Sequence, residues 1–169
     1  MKNIKFALLL VLAALSLLWW WADPLLIQGD TYFALRTLAV NYTGVLAMGT
    51  MSVAMILALR PAALEPLLGG MDKAYRLHKW LGITGLVIAV THWAWVKVPK
   101  WAVGWGWLVK PKRGPRAEET VAIFRFFREQ RDLAESIGEW AFYAAVVLIA
   151  IALIKRFPYR HFFQTHRLM

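Results

Sequence analysis

Two histidines, His78 and His92, stand fourteen residues apart, and everything between Trp80 and Val90 is apolar, glycine or threonine. At about 100° per helical residue, fourteen steps fall within roughly 40° of whole turns, so both imidazoles share one helix face. At about 1.5 Å per residue they lie roughly 21 Å apart, one towards each edge of a hydrocarbon core about 30 Å thick. Ionisable side chains inside a membrane span are costly and mark function. Neutral imidazole is an axial ligand for haem iron. The pair reads as one helix presenting a ligand to each of two stacked haems. A lone histidine at a span edge is more often a polar residue bonded to a carbonyl or a lipid headgroup. Two on one face, with Gly82 and Gly85 between them leaving room for a bulky planar group, favour the metal.

A haem held by two histidines needs its second ligand from a facing helix. His166 is the candidate for the partner of His78, because it starts an apolar segment on the same side of the membrane. A partner for His92 would lie another thirteen or fourteen residues on, beyond Met169. His161, five residues before His166, reads better as part of a basic, aromatic juxtamembrane turn. Arg36 is the one cation near the outer end of the second span. It is either a snorkelling anchor or the planar donor that pairs with a haem carboxylate. Arg76 and Lys79 flank His78 and read first as orienting charges.

The elements that must position these residues are membrane helices. The chain has 169 residues, 60% of them hydrophobic, and a mean hydropathy of +0.49, more apolar surface than a soluble domain needs. It has no cysteine, which excludes disulfides, thiolate metal sites and covalent haem attachment through Cys-x-x-Cys-His. The net charge of +10 would suggest nucleic acid in a soluble protein. Here the cations lie in short loops, and the ten tryptophans gather at span edges, as in an interfacial belt. Nucleic-acid binding is therefore excluded as a function, and membrane lipid is the expected surround.

Apolar runs predict spans over Phe6–Ala22, Leu38–Leu59, Leu77–Val96 and Ile137–Ile154, with a fifth starting at Tyr159 after Pro158. The first run is longer than a signal-peptide core and lacks an Ala-x-Ala-like site, so it reads as a retained span. The chain stops about ten residues into the fifth run, where a span needs about twenty, and is expected to be a fragment or a shortened product. Val121, Phe124, Phe127 and Leu133 recur at helical spacing among charges, predicting an amphipathic surface helix over 117–137. Lys2, Lys5, Arg60, Lys73, Arg76, Lys79, Lys155, Arg156, Arg160 and Arg167 collect on one side, which the positive-inside rule makes cytoplasmic together with the N-terminus. Lys97 and Lys100 argue for the opposite orientation.

Three stretches carry a specific resemblance. Leu68-Gly-Gly-Met-Asp-Lys-Ala-Tyr-Arg-Leu-His-Lys-Trp-Leu-Gly, His92-Trp, and Phe157-Pro-Tyr-Arg-His-Phe-Phe-Gln-Thr-His-Arg-Leu resemble the ferric reductase-like transmembrane domain. That family includes NADPH oxidases, ferric-chelate reductases and bacterial ferredoxin-reductase-like fusion proteins. The resemblance covers nearly the whole of residues 1–169. It implies an all-α membrane bundle of six spans, four complete here and a fifth begun, in the inner (plasma) membrane. It also implies two b-type haems: His78 would pair with His166 on the inner one, and His92 with a histidine beyond this sequence on the outer one. No glycine-rich phosphate loop is present, so FAD and NAD(P)H would bind only a missing or separate cytoplasmic domain or subunit.

With both axial positions held by histidine, such iron favours outer-sphere electron transfer over substrate activation. The expected function is transmembrane electron transfer from a cytoplasmic flavin to an outer acceptor, ferric iron or oxygen. One alternative is a stand-alone haem subunit passing electrons from quinol or a flavin reductase to a periplasmic enzyme. A second, from another class, is a haem-free structural or transport-accessory membrane protein.

Overall fold

The computed structural model describes residues 2–22, 31–109 and 121–153. Every regular element among them is an α-helix: α1 Lys2–Ala22, α2 Tyr32–Ala58, α3 Leu64–Leu68, α4 Met71–Gly104, α5 Ala122–Glu129 and α6 Arg131–Leu153. Four of these, α1, α2, α4 and α6, are long and apolar enough to cross a membrane. The all-α membrane architecture and its four complete spans agree with the apolar pattern. The expected fifth span lies outside the described residues, and so do His161 and His166. The chain divides into two compact units, Met1–Trp107 and Leu108–Met169.

In the first unit α4 packs chiefly on α2, with α1 and α3 against the pair. The α2–α4 seam has a period of seven residues on both helices. On α4 it holds His78, Gly85, His92 and Pro99; on α2, read in the opposite direction, it holds Leu57, Thr50, Thr43 and Arg36. His78, Gly85 and His92 each meet their α2 counterpart or the adjoining turn, and Arg36 reaches α4 one turn before Pro99. Seven residues is the interval that keeps one face in contact when two helices wind gently around each other with a left hand. The seam spans twenty-one steps, about 31 Å at about 1.5 Å each. Steeply crossed helices would separate well before that, so the crossing is shallow.

The middle of the seam is tight. A methyl group placed on Gly85 would lie 3.1 Å from the Thr50 hydroxyl oxygen and 3.6 Å from Met51 Cγ. Thr50 is fully buried and donates its hydroxyl proton to the Leu46 carbonyl at 2.8 Å, the usual way an apolar helix accommodates a hydroxyl. Gly85 is therefore a helix–helix contact, which corrects the expectation that it leaves room for a planar group. Gly82 differs: among the described residues no atom comes within 4 Å of a methyl placed there. Towards the His78 end, Ile4, Ala54, Leu57, Leu77 and Leu81 form the buried core, covered by Ala7, Leu8 and Val11 of α1. At α1's other end, Ser16 shares a hydrogen bond with Tyr42 at 2.9 Å and Trp19 packs on the same ring.

Helix ends depart from the apolar runs for physical reasons. The left-handed Gly69 (φ 73°) and the strongly positive φ of Gly70 (119°) turn the chain from α3 into α4, and only glycine takes both conformations cheaply. α4 then starts at Met71, six residues before the expected Leu77, because charged juxtamembrane residues extend a helix as readily as apolar ones. It also passes Val96 and Pro99 before closing at Gly106 (φ 78°), where Gly106 N–H bonds the Val103 carbonyl and Trp107 N–H the Ala102 carbonyl, a Schellman end. Pro99 has no N–H for the carbonyl four residues back, that of Trp95. Arg36 supplies the missing donor: its Nε–H bonds Trp95 O at 3.2 Å, and Nη2 adds a bond to the neighbouring Val96 O at 3.4 Å. That is possible because α2 starts at Tyr32 rather than Leu38 and so carries Arg36 in its second turn.

In the second unit the expected surface helix over 117–137 is two helices. α5 ends at Glu129 with Gln130 as its cap, and α6 begins at Arg131, so its charged first turns precede the apolar run from Ile137. Ile123, Phe126, Phe127 and Leu133 are all exposed.

Two outcomes follow for the first unit. Gly85→Leu should overpack the seam and cost about 1–3 kcal/mol, read as a lower unfolding midpoint in detergent micelles, whereas Gly82→Ala should not lower it. Pro99→Ala restores an N–H for Trp95 O. Arg36→Leu should therefore cost about 1 kcal/mol less in the Pro99→Ala background than in the wild type; equal costs would detach Arg36 from the proline.

Candidate functional site

His78 and His92 both lie on the α4 seam, half-buried, with their rings directed at α2. His78 Nδ1 lies 2.8 Å from the Ala54 carbonyl oxygen. His92 Nδ1 lies 3.1 Å from the Val40 carbonyl oxygen and 3.1 Å from the Thr43 hydroxyl. The two acceptor carbonyls are fourteen residues apart on α2, as the histidines are on α4. An antiparallel pair in one register thus makes the same contact twice.

The chemistry follows from what a carbonyl can do. A backbone oxygen only accepts, so Nδ1 must carry the proton in both rings. In neutral imidazole Nε2 then holds the lone pair, and Nε2 is the nitrogen able to ligate a metal. Donation of the other ring N–H to a carbonyl is the outer-shell arrangement that fixes the tautomer and plane of a metal-bound histidine and raises its basicity. The α2 backbone can serve because a carbonyl has two lone pairs, one already engaged within its own helix.

At the His92 end the surroundings are polar and close. Thr43 donates its own proton to the Ala39 carbonyl at 2.6 Å, so its oxygen is an acceptor towards Nδ1–H. A methyl on Gly44 would stand 3.3 Å from His92 Cε1 and 3.5 Å from Nδ1; the bare glycine lets the ring lie against α2. Arg36 sits two turns before Thr43 on the same stripe, half-buried, with two of its five N–H groups given to the α4 carbonyls.

Of the expected site residues, the structure places His78, His92 and Arg36 along one seam, while His166 lies outside the described residues. No group of three His, Asp or Glu side chains gathers for a metal ion among the described residues. The donors are single imidazoles along one helix, a set suited to a macrocycle that fills four positions of its iron itself and asks the protein for axial ligands. Among the described residues the flank at Gly82, one turn from His78, carries no neighbour that would exclude a bulky group. Val40, Thr43, Gly44 and Ala54 were not singled out in the sequence. Their signal was the seven-residue recurrence of Arg36, Thr43, Thr50 and Leu57 through an otherwise apolar run.

Comparison with curated proteins and with solved structures returns no match. The family model described as ferric reductase like transmembrane component matches residues 43–169. That interval covers most of the chain and takes in Thr43, both α4 histidines and the Thr-His-Arg stretch. This multi-pass membrane chain therefore belongs to the ferric reductase-like transmembrane component family.

Proposed function

We propose that this chain conducts electrons across a membrane by holding b-type haems on α4, with His78 and His92 as axial ligands. The observation that carries the proposal is the paired donation of Nδ1–H to α2 carbonyls, which commits Nε2 of both rings to a Lewis base. Bound at such positions, haem b takes up and gives up single electrons without an open coordination site. His166 is the second ligand proposed for the His78 haem. Arg36, with three N–H groups beyond those used on α4, is the proposed partner of a haem carboxylate at the other end. Family membership supports a cytoplasmic flavin domain or subunit, fed by NAD(P)H, as donor, and an outer acceptor such as ferric iron or oxygen. It equally suits a plasma-membrane location with a cytoplasmic N-terminus.

The residues of this chain do three things in that scheme. The seam fixes the spacing of the two ligands at roughly 21 Å along α4. The carbonyls hold each ring plane so that ligation orders few further bonds. The surrounding apolar helices keep water from the ligands, which leaves the surroundings to set the potential.

Membranes from haem-replete cells expressing the chain should show a Soret band and a sharp α band on dithionite reduction. His92→Leu should remove one spectral component and His78→Leu the other. Absence of both bands in the wild type would sink the proposal. Loss of all haem from either single variant would mean that the bundle had collapsed, so a melting curve accompanies each spectrum.

A further inference from the structure

The two ligand positions are built on the same register but are not chemically equal on the α2 side. Three residues after each acceptor carbonyl comes the α2 seam residue that faces the histidine. At the His78 end that residue is Leu57, buried in the apolar core and unable to accept a hydrogen bond. At the His92 end it is Thr43, whose hydroxyl oxygen stands 3.1 Å from Nδ1. The hydroxyl does not rotate freely, because its proton is committed to Ala39 O at 2.6 Å, with Val40 O at 3.3 Å as the other acceptor in reach. Its lone pairs therefore face His92, and the ring proton is shared between Val40 O and Thr43 Oγ1 at equal distances of 3.1 Å. Two acceptors on neighbouring turns hold the ring plane of His92 more tightly than the Val40 carbonyl would alone. Gly44 adds a steric limit on the same edge, since even a methyl would approach Cε1 to 3.3 Å.

We propose that Thr43 is a positioning residue for His92, its locked hydroxyl adding to the Val40 carbonyl's hold on the ring plane that presents Nε2 to haem iron. The inference rests on the haem reading for its functional meaning, but its geometry belongs to the chain alone. Thr43 gives the His92 imidazole an added acceptor on its N–H, making that ligand more electron-rich than the Val40 carbonyl alone would and favouring the oxidised iron. Losing it shifts the His92 haem towards easier reduction and leaves the His78 haem where it was.

The test is Thr43→Val, which keeps the branched shape and removes the acceptor, beside Thr43→Ser, which restores a hydroxyl. In the haem-loaded full chain, Thr43→Val should weaken haem retention at the His92 site by about tenfold, the lower end for a lost outer-shell partner. It should also raise the midpoint potential and alter the low-spin electron paramagnetic resonance signal of that haem alone. Thr43→Ser should return all three towards wild type. Unchanged potential and signal in Thr43→Val with both haems bound overturns the proposal, as does an equal change in both haems. A haem-free arm uses 15N-histidine labelling of the chain in micelles. His92 should show the Nδ1–H tautomer in both, with the Nδ1–H proton resonance shifted upfield and exchanging faster with water in Thr43→Val. An Nδ1–H resonance and exchange rate left unchanged by Thr43→Val overturn the proposal, even if the chain never binds haem.

Discussion

Inside a bilayer an imidazole N–H has few places to go, and on an apolar helix the one acceptor repeated at every residue is the backbone carbonyl. α2 supplies that acceptor twice, to His78 at Ala54 and to His92 at Val40, and the rest of the first unit is arranged so that it can. Such interhelical bonds contribute about 0.6 kcal/mol each on average in membranes, too little for two of them to hold a bundle together. Packing holds the bundle. The bonds decide instead which nitrogen carries the proton and which way each ring faces, a choice worth more to a ligand than to the fold.

Packing can deliver two such bonds on one pair of helices only if the register survives between them. In a straight helix fourteen residues drift by about 40° from a common face, and a gentle left-handed winding removes the drift. The seam is populated accordingly: Gly85 lets α4 come close to Thr50 at the centre, and Gly44 lets the Nδ1–Cε1 edge of the His92 ring come up against α2. Beyond His92, Pro99 would weaken α4, and Arg36 repairs it by donating to the Trp95 carbonyl that the proline leaves behind. The cation read in the sequence as an anchor or a carboxylate partner thus also has a task within the chain, to carry α4 past its proline.

The spans, the shared face of the two histidines and the family were all legible, because each rests on short-range periodicity or on a local motif. What escaped depends on contacts between distant residues. α4 was expected to stop at Val96 with the apolar run, and nothing local to Pro99 points to an arginine sixty residues earlier. Gly82 and Gly85 are equivalent in sequence terms, and only the position of α2 makes one a contact and leaves the other open. Gln130 separates α5 from α6 without proline or glycine, so an amphipathic pattern running through it read as a single helix. Thr43 was passed over because a threonine in an apolar helix normally spends its hydroxyl on its own backbone; here it does so and still accepts from His92.

The repeated contact also explains why α2, which contributes no candidate ligand, matters as much as the helix that does. Two histidines on one helix present the same chemistry twice, so any difference between the sites must come from what surrounds them. On the described side that surround is the α2 seam, apolar at Leu57, hydroxylic at Thr50 and Thr43, cationic at Arg36. Polarity therefore rises along α2 from the His78 end to the His92 end. A charge-bearing group held near His92 would find hydrogen-bond donors and acceptors, while one near His78 would meet a hydrocarbon wall on this side. If the two histidines hold like centres as proposed, an electron moving between them would need such an asymmetry to prefer one direction, and among the described residues the template helix supplies one.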